Sequence, residues 1–411
     1  MTSRPNNFLV LNCGSSSLSY KVLAYTGSET ITSVLSGKAS RVGVKGTEPS
    51  SIETHFNGTV QSNVVPLENH RAAARAALSS VKALGVRIDF VGHRFVHGGA
   101  HFQNSVFLTG ETLRKLKLCR PLAPIHNPNS LSVIQECKRV LPNVPQYVAF
   151  DTAFHHTIPV HCYTYALPKS ITQKFGFRKY GFHGLSYQYV TQEVARSPGL
   201  SLDGLRIVAC HLGTGGSSVA AIRDGKSVDT SMGYSPLQGL VMSTRSGDID
   251  PMLATYLMTV YGYRPDELSD LLSKQSGLLG VSGFSSDIRD IIRGVNGPEK
   301  EQAELALNMY IHRLKKYIGN CIAILGGIDV LVFTDDIGVH NWLVREMVCE
   351  NMEWCGIVLD KEANRKAVDD QKSSLGAGGP GVEILIVPTD EELVICLEGI
   401  KLMGAPHAIT I

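Results

Sequence analysis

Phe8 to Tyr25 reads FLVLNCGSSSLSYKVLAY, an apolar run that breaks at Gly14 into Ser15-Ser16-Ser17 and resumes as alternating residues. That pattern predicts a β-hairpin. Glycine lets the main chain approach a ligand closely, and successive backbone N–H groups with serine hydroxyls can solvate anionic oxygens, so the turn is a candidate phosphate cradle. No Gly-Lys-Ser/Thr follows, which excludes a Walker loop. The segment after the turn alternates as a strand where a dinucleotide-binding fold would place a helix.

The pattern returns about half a chain later. Ile207 to Ile222, IVACHLGTGGSSVAAI, again runs apolar strand, Gly-rich hydroxyl turn, apolar strand. Two such hairpins predict two related α/β lobes, each offering a loop to one phosphate chain. A length of 411 residues also favours two domains.

Composition narrows the partners. Lys and Arg number 39 against 37 Asp and Glu, a net charge of +2, and no basic block occurs, so neither nucleic acid nor an anionic membrane is expected. The nine cysteines form no C-x-x-C pair and no Cys/His ligand spacing, and read as reduced thiols of a cytoplasmic protein. The first apolar run stops at Cys13 without signal-peptide architecture. The most apolar stretch, Tyr317 to Thr334, is interrupted by Asn320, Gly326, Gly327 and Asp329, and reads as helix end, turn and buried strand, with no membrane span.

Along the chain, residues 28–65 suit further strands of a first sheet, and Arg71 to Leu84 is an Ala-rich helix ending at Gly85. Phe90 to Gly99 is a strand entering a Gly-Gly turn. Its Arg94, flanked by apolar residues, must be paired if buried, either with a ligand's carboxylate or phosphate or within an internal ion pair. Asn127 is placed to cap a helix with Pro128 in its first turn, running to about Val140. Tyr147 to Phe150 is a strand ending in Asp151, and strand ends are where α/β ligand sites collect. His183 lies between glycines, which argues for an open position, before a helix from Leu185 to Ala195. The aperiodic segment containing Ser243 to Asp248 carries Arg245 among small hydroxyl residues, a natural anion contact. Ser276 to Ile292 holds a turn and a helix start, Glu301 to about Ile324 a long amphipathic helix, and Gly326 to Thr334 a strand followed by a loop, Asp335 to His340. Residues 370–381 read as a loop by composition. A strand from Val382 to Val387 leads to Glu391, a second strand-end carboxylate.

With these residues laid out, the chain resembles the acetokinase family, of the sugar kinase/heat-shock/actin superfamily. The resemblance rests on N-x-G-S-S-S at Asn12, GHR-x-VHGG at Gly92, LAP-x-HNP at Leu122, FDTAFH at Phe150, KYGFHG at Lys179, HLG at His211, DTSMG-x-x-PL at Asp229, TRSGD-x-DP at Thr244, GVSG at Gly280 and PT-x-EEL at Pro388, collinear over nearly the whole chain. It implies a two-domain, actin-like (ribonuclease H-like) duplicated ATPase fold. The expected lobes are residues 1–153 on the acceptor side and 154–385 on the donor side, with 386–411 returning to the first. It implies a homodimer through the second lobe, and reversible phosphoryl transfer between ATP and acetate, making acetyl phosphate.

Carried over residue by residue, the resemblance puts the acetate-side arginine at Arg94, the catalytic acid at Asp151, and the transition-state stabilisers at His183 and Arg245. Val96, Ile125, Phe182 and Pro236 would form the methyl pocket. Asn12 and Glu391 would serve Mg2+ or Mn2+. The donor would meet Ser15, Ser17, Ser19, His211, Leu212, Gly213, Thr214, Gly215, Asp287, Ile288, Arg289, Asp336, Ile337, Gly338, Val339 and His340. A carboxylate attacking a polyphosphate brings negative charge to both partners, so the barrier is mainly repulsion, and arginines, a histidine and a metal are what such chemistry needs. Acetate is already ionised, so no strong base is required, and Asp151 is expected to orient Mg2+ or Arg94.

Donor-side motifs depart from the family pattern. Its lysine in S-S-S-x-K is Ser19 here, with Lys21 one pleat along, and its F-T-A-G-I-G-E-N loop is Phe333 to His340, with Asp335 and Asp336 where Ala and Gly are usual. A carboxylate at Asp336 would fill adenosine space, which raises pyrophosphate, with phosphate as its product, as an alternative donor. Propionate or butyrate kinase and a non-catalytic actin-like module are the rival readings. The last would not need Arg94, Asp151 and His183 together.

Overall fold

The computed structural model describes residues 4–27, 30–44, 46, 48–367, 371–377 and 381–404. It divides into two compact units, Met1–Ala153 with Asp390–Ile411, and Phe154–Thr389.

Unit 1 is built on β1 (Asn6–Cys13) and β2 (Ser17–Tyr25), the hairpin that opens the chain. Phe8 to Leu11 are buried on both faces, as an apolar run without alternation requires of a central strand. Beyond β2 the sheet continues antiparallel through β3 (Ile31–Ser40), β4 (Ser51–Phe56) and β5 (Thr59–Val64). On the other side β1 pairs in parallel with β6 (Phe90–Phe95), β6 in parallel with β8 (Gln146–Phe150), and β7 (Val106–Phe107) closes that edge. The Ala-rich helix His70–Ala83, capped by the Asn69 side chain, lays Ala73, Ala74 and Ala77 on one face, where small side chains permit close approach.

The opposite face receives the C-terminal helix, Glu391–Leu402. Tyr147 keys it in place. Its hydroxyl donates to the Ile395 carbonyl at 2.8 Å, and its ring fills the space that side chains on Gly92 and Gly399 would take. A β-carbon on Gly399 would lie 2.4 Å from the Tyr147 Cζ.

Unit 2 repeats this order. β9 (Arg206–Leu212) pairs antiparallel with β10 (Ser217–Arg223), which pairs with β11 (Lys226–Thr230). In the other direction β9 runs parallel to β12 (Val330–Thr334), and β12 parallel to β14 (Glu383–Ile386), with β13 (Ser373–Ser374) at the edge. The duplication read from the two hairpins is thus present in topology. Even the turns match: the Gly14 N–H donates to the Ser17 carbonyl at 2.9 Å, and the Gly213 N–H to the Gly216 carbonyl at 3.1 Å. The long helix Lys300–Leu325 buries Ala303, Leu307, Leu314 and Ile318 on one face of this sheet, and Gly184–Ala195 covers the other. This is the duplicated, actin-like α/β architecture that the resemblance implies.

Some expectations need correction. Asp335 to His340 is a short helix rather than a loop. Asn127 does not cap its helix: its side chain is buried and bonds the His97 backbone N–H and carbonyl and the Cys119 carbonyl, tying a neighbouring turn to the helix start. Of the 370–381 stretch, 370 and 378–380 lie outside the described residues, while Ser373 and Ser374 form β13, because they pair with Ile386 and Leu385. All nine cysteines are free thiols. Among the described residues, no helix is long and apolar enough to cross a membrane.

Two buried histidines make each unit sensitive to acid. His93 of unit 1, bonded to Gln146, and His155 of unit 2, between Ser227 and the Phe182 carbonyl, are each lowered to about 4 by burial, only partly offset by those bonds. Unfolded, each binds its proton near pH 6.5, so below that value the unfolded chain takes up protons the folded one refuses. Stability is therefore full above pH 6.5 and falls as pH drops toward 4, by up to ~1.4 kcal/mol per pH unit for each histidine. Urea unfolding across pH 7.5 to 4.5 will show this slope, and His93→Asn or His155→Asn will remove about one proton's worth of it.

Candidate active site

In unit 1 four residues far apart in sequence meet where strands end. Asn12 lies near the end of β1, Arg94 on β6, Asp151 just past β8, and Glu391 at the first turn of the C-terminal helix. Asp151 grips Arg94 through two bonds, Nε to Oδ1 at 2.8 Å and Nη2 to Oδ2 at 2.6 Å, the geometry a planar guanidinium favours. The Arg94 Nη1 donates to the Asn12 Oδ1 at 3.0 Å and lies 3.4 Å from the Glu391 Oε2. Burial disfavours the Arg94 charge, but Asp151 and Glu391 outweigh it and hold the guanidinium firmly protonated.

The Asn12 amide in turn donates to Glu391 and to Glu392, both at 3.0 Å. Desolvation and the charges of Asp390 and Glu391 push the Glu392 carboxyl up. This third acid was not singled out from the sequence, although it adjoins Glu391. Lys21, on the same face of β2 as Ser19, is held by Asp390 at 2.6 Å. It therefore serves the rim of this acidic cluster rather than standing free as the missing family lysine.

Oxygen donors on Asn12 and Glu391 suit a hard divalent cation. Among the described residues, no three His, Cys, Asp or Glu side chains form a cage. Mg2+ commonly takes one or two carboxylates and completes its shell with water and substrate phosphate, so the donor set fits.

Unit 2 gathers a second cluster around the Gly213–Ser217 turn. His183 has a left-handed backbone (φ +58°) at the start of its helix, and its Nδ1 is 2.8 Å from the Ser218 Oγ, which is itself bonded to the Tyr187 hydroxyl. The His183 ring stacks on His211 with centroids 4.0 Å apart. A β-carbon on Gly216 would stand 3.0 Å from the Arg245 Nη1 and 3.6 Å from the His183 Nε2, so both side chains face the bare backbone of this turn. Arg245 donates to the Pro236 carbonyl at 3.2 Å, and among the described residues no carboxylate pairs with it. Burial alone lowers its pKa. A guanidinium desolvated without a counter-ion is an anion seat. Ser218 and Ser186, which orient the two histidines, were legible only as hydroxyls of a turn and a helix.

Other expected donor contacts are redirected. Leu212, Ile288, Ile337 and Val339 point into the hydrophobic core, so only their backbones could meet a ligand. Asp287 caps the helix Ile288–Gly294 and holds Arg289 in a local pair, so neither is free for a donor as it stands. Ser15 is exposed, Ser17 and Ser19 half-buried, and His340 exposed. Asp336 is also exposed and accepts from the Thr214 hydroxyl at 3.1 Å. Asp335 turns inward to His211. Of the four residues expected at the methyl group, Val96 and Phe182 are buried, Pro236 is half-buried and Ile125 is exposed.

The acetokinase family matches residues 7–397. Acetate kinase 2 of Clostridium perfringens is 40% identical over 97% of this chain and 100% of its own length. The solved acetate kinase of Entamoeba histolytica is 43% identical, with a TM-score of 0.87 over 97% of this chain and 100% of its own. A propionate kinase structure from Francisella tularensis is 33% identical, with a TM-score of 0.85, covering 96% and 98%.

The short helix Asp335–His340 is held from below by Arg345, fully buried and, among the described residues, without a carboxylate partner. It donates to the Gly338, Val339, Asn364 and Ala367 carbonyls and to the Asn364 side chain, and burial lowers it to about 10. Arg345→Met would orphan these acceptors, each worth about 1–3 kcal/mol when left unpaired. Hydrogen exchange will show residues 335–340 losing protection at least ~10-fold while β1 and β9 keep theirs, since ~1.4 kcal/mol of local opening is a factor of ten.

Proposed function

The chain belongs to the acetokinase family and is a phosphotransferase acting on a carboxyl group, an acetate kinase, and we propose how its residues perform that transfer. The observation that carries the reading is Arg245, desolvated, without a carboxylate partner among the described residues, and aimed with His183 at the bare Gly216 backbone.

Arg94 receives the acetate carboxylate. Asp151 is its positioning residue, fixing the guanidinium plane through two bonds and leaving N–H capacity on the Nη groups. One acetate oxygen attacks the donor's terminal phosphorus in line, the bond from that phosphorus to the bridging oxygen breaks, and the charge leaves with the donor product. No proton needs to be removed. Arg245 and His183 meet the charge that spreads over the equatorial oxygens, a contribution typically worth ~2.7–4 kcal/mol per preorganised donor. Asn12 and Glu391 would hold Mg2+ or Mn2+, which when bound neutralises phosphate charge. Val96, Ile125, Phe182 and Pro236 are the residues the resemblance assigns to the methyl group, and a site sized for two carbons disfavours longer acids typically by 10–200-fold per methylene.

ATP is the proposed donor, with ADP as product. The carboxylates of Asp335 and Asp336 favour a second reading, pyrophosphate, because both add negative charge where a nucleotide would pass. The free thiols suit a reducing, cytoplasmic setting. The helix Pro251–Thr259 buries none of its residues and exposes Met252, Leu253 and Tyr256. We assign this face to a homodimer contact, since a contiguous apolar patch on a surface helix is where association occurs.

Hydroxamate trapping of acetyl phosphate with ATP and with pyrophosphate will identify the donor. ATP turnover is expected, and under the second reading Asp336→Gly gains it. Arg94→Leu and Arg245→Leu should each lower kcat/KM by about 10²–10³. Sedimentation should give a dimer that Leu253→Asp with Tyr256→Asp converts to monomer.

A further inference from the structure

We propose that Asp335 is a built-in competitor for the donor: its carboxylate occupies the anion seat of the Gly213–Ser217 turn, and a polyphosphate must displace it to bind. This rests on the reading that the turn receives the donor.

Three observations converge on it. The Asp335 Oδ2 lies 2.1 Å from where a β-carbon on Gly213 would stand, so the carboxylate rests on the glycine itself, in the space the bare backbone leaves for a ligand. The same oxygen is 3.0 Å from the His211 Nε2, while the His211 Nδ1 is fixed by the Ser186 Oγ at 2.9 Å, so the imidazole presents its N–H to an internal anion. Asp335 also has a left-handed backbone, φ +64°, which a non-glycine residue keeps only when its surroundings impose it.

Its neighbour behaves differently. Asp336 is exposed and reaches outward to Thr214, so the two adjacent carboxylates have separate roles. Arg245, which faces the turn at Gly216 and pairs with no carboxylate among the described residues, keeps positive charge for an entering phosphate. Donor binding then becomes an exchange: Asp335 releases His211, rotates away, and phosphate oxygens take its place. The exchange weakens every anionic donor, and multiply charged donors recover more of the loss through Arg245 and His183.

Titration calorimetry with pyrophosphate, ATP and inorganic phosphate will test this on the purified chain, beside donor KM. Asp335→Asn keeps the shape and removes the charge, and Asp335→Ala empties the seat. Both should bind pyrophosphate and ATP at least tenfold more tightly and lower the donor KM, leaving the acetate KM within twofold. Glu304→Gln, an exposed carboxylate on the long helix, controls for net charge and should shift affinity less than twofold. Unchanged or weaker donor affinity in Asp335→Asn, with an unaltered thermal transition, overturns the proposal. A fall in kcat without tighter binding would instead make Asp335 a brace for His211, and also overturns it. Calorimetry needs no turnover, so failure of the kinase reading, with no acetyl phosphate from any donor, is separable from failure of this one.

Discussion

A single guanidinium organises unit 1. Arg94 on β6 is bonded to a residue of β1, to one just past β8 and to the start of the C-terminal helix, so four chain segments must be in place before its charge is compensated. An unpaired ion there would cost several kcal/mol, and two carboxylates with an amide remove that cost only in one arrangement. The pair fixes the orientation of the Arg94 guanidinium as well as the strand ends, and under the proposed function it joins folding and substrate positioning in one contact.

Unit 2 treats the same residue type in the opposite way. Among the described residues no carboxylate pairs with Arg245, and burial lowers its pKa. Arg345, likewise without a carboxylate partner among the described residues, spends its donors on backbone carbonyls to hold a helix. Three arginines in one chain thus show three states: one paired with a carboxylate, one desolvated beside a bare glycine turn, one bonded to backbone carbonyls. Which state applies follows from the partner and could not follow from residue type.

The duplicated hairpins, the central strands and the long helix were legible because apolar periodicity and glycine punctuation are local signals. The Arg94–Asp151 bond was foreseen only as one of two options, since pairing across a parallel sheet has no short-range signature. Leu212, Ile288, Ile337 and Val339 were expected at the donor through resemblance, yet their apolar side chains obey burial and leave only backbone outside. Asn127 followed cap chemistry on paper, but a richer set of acceptors and donors on a neighbouring turn drew its amide away. Asp335 was overshadowed by Asp336, because only geometry distinguishes the carboxylate that turns inward from the one that faces water.

The ring of Tyr147, seated between two glycines that are some three hundred residues apart in sequence, sets the timetable of synthesis. The N-terminal sheet cannot receive its last layer until the whole of unit 2 has left the ribosome, a wait of roughly 10–50 s at ~5–20 residues per second. During that interval the nascent sheet carries an apolar face with an empty slot and an arginine short of one carboxylate. That exposed face follows from a unit whose covering helix is encoded after the whole of unit 2.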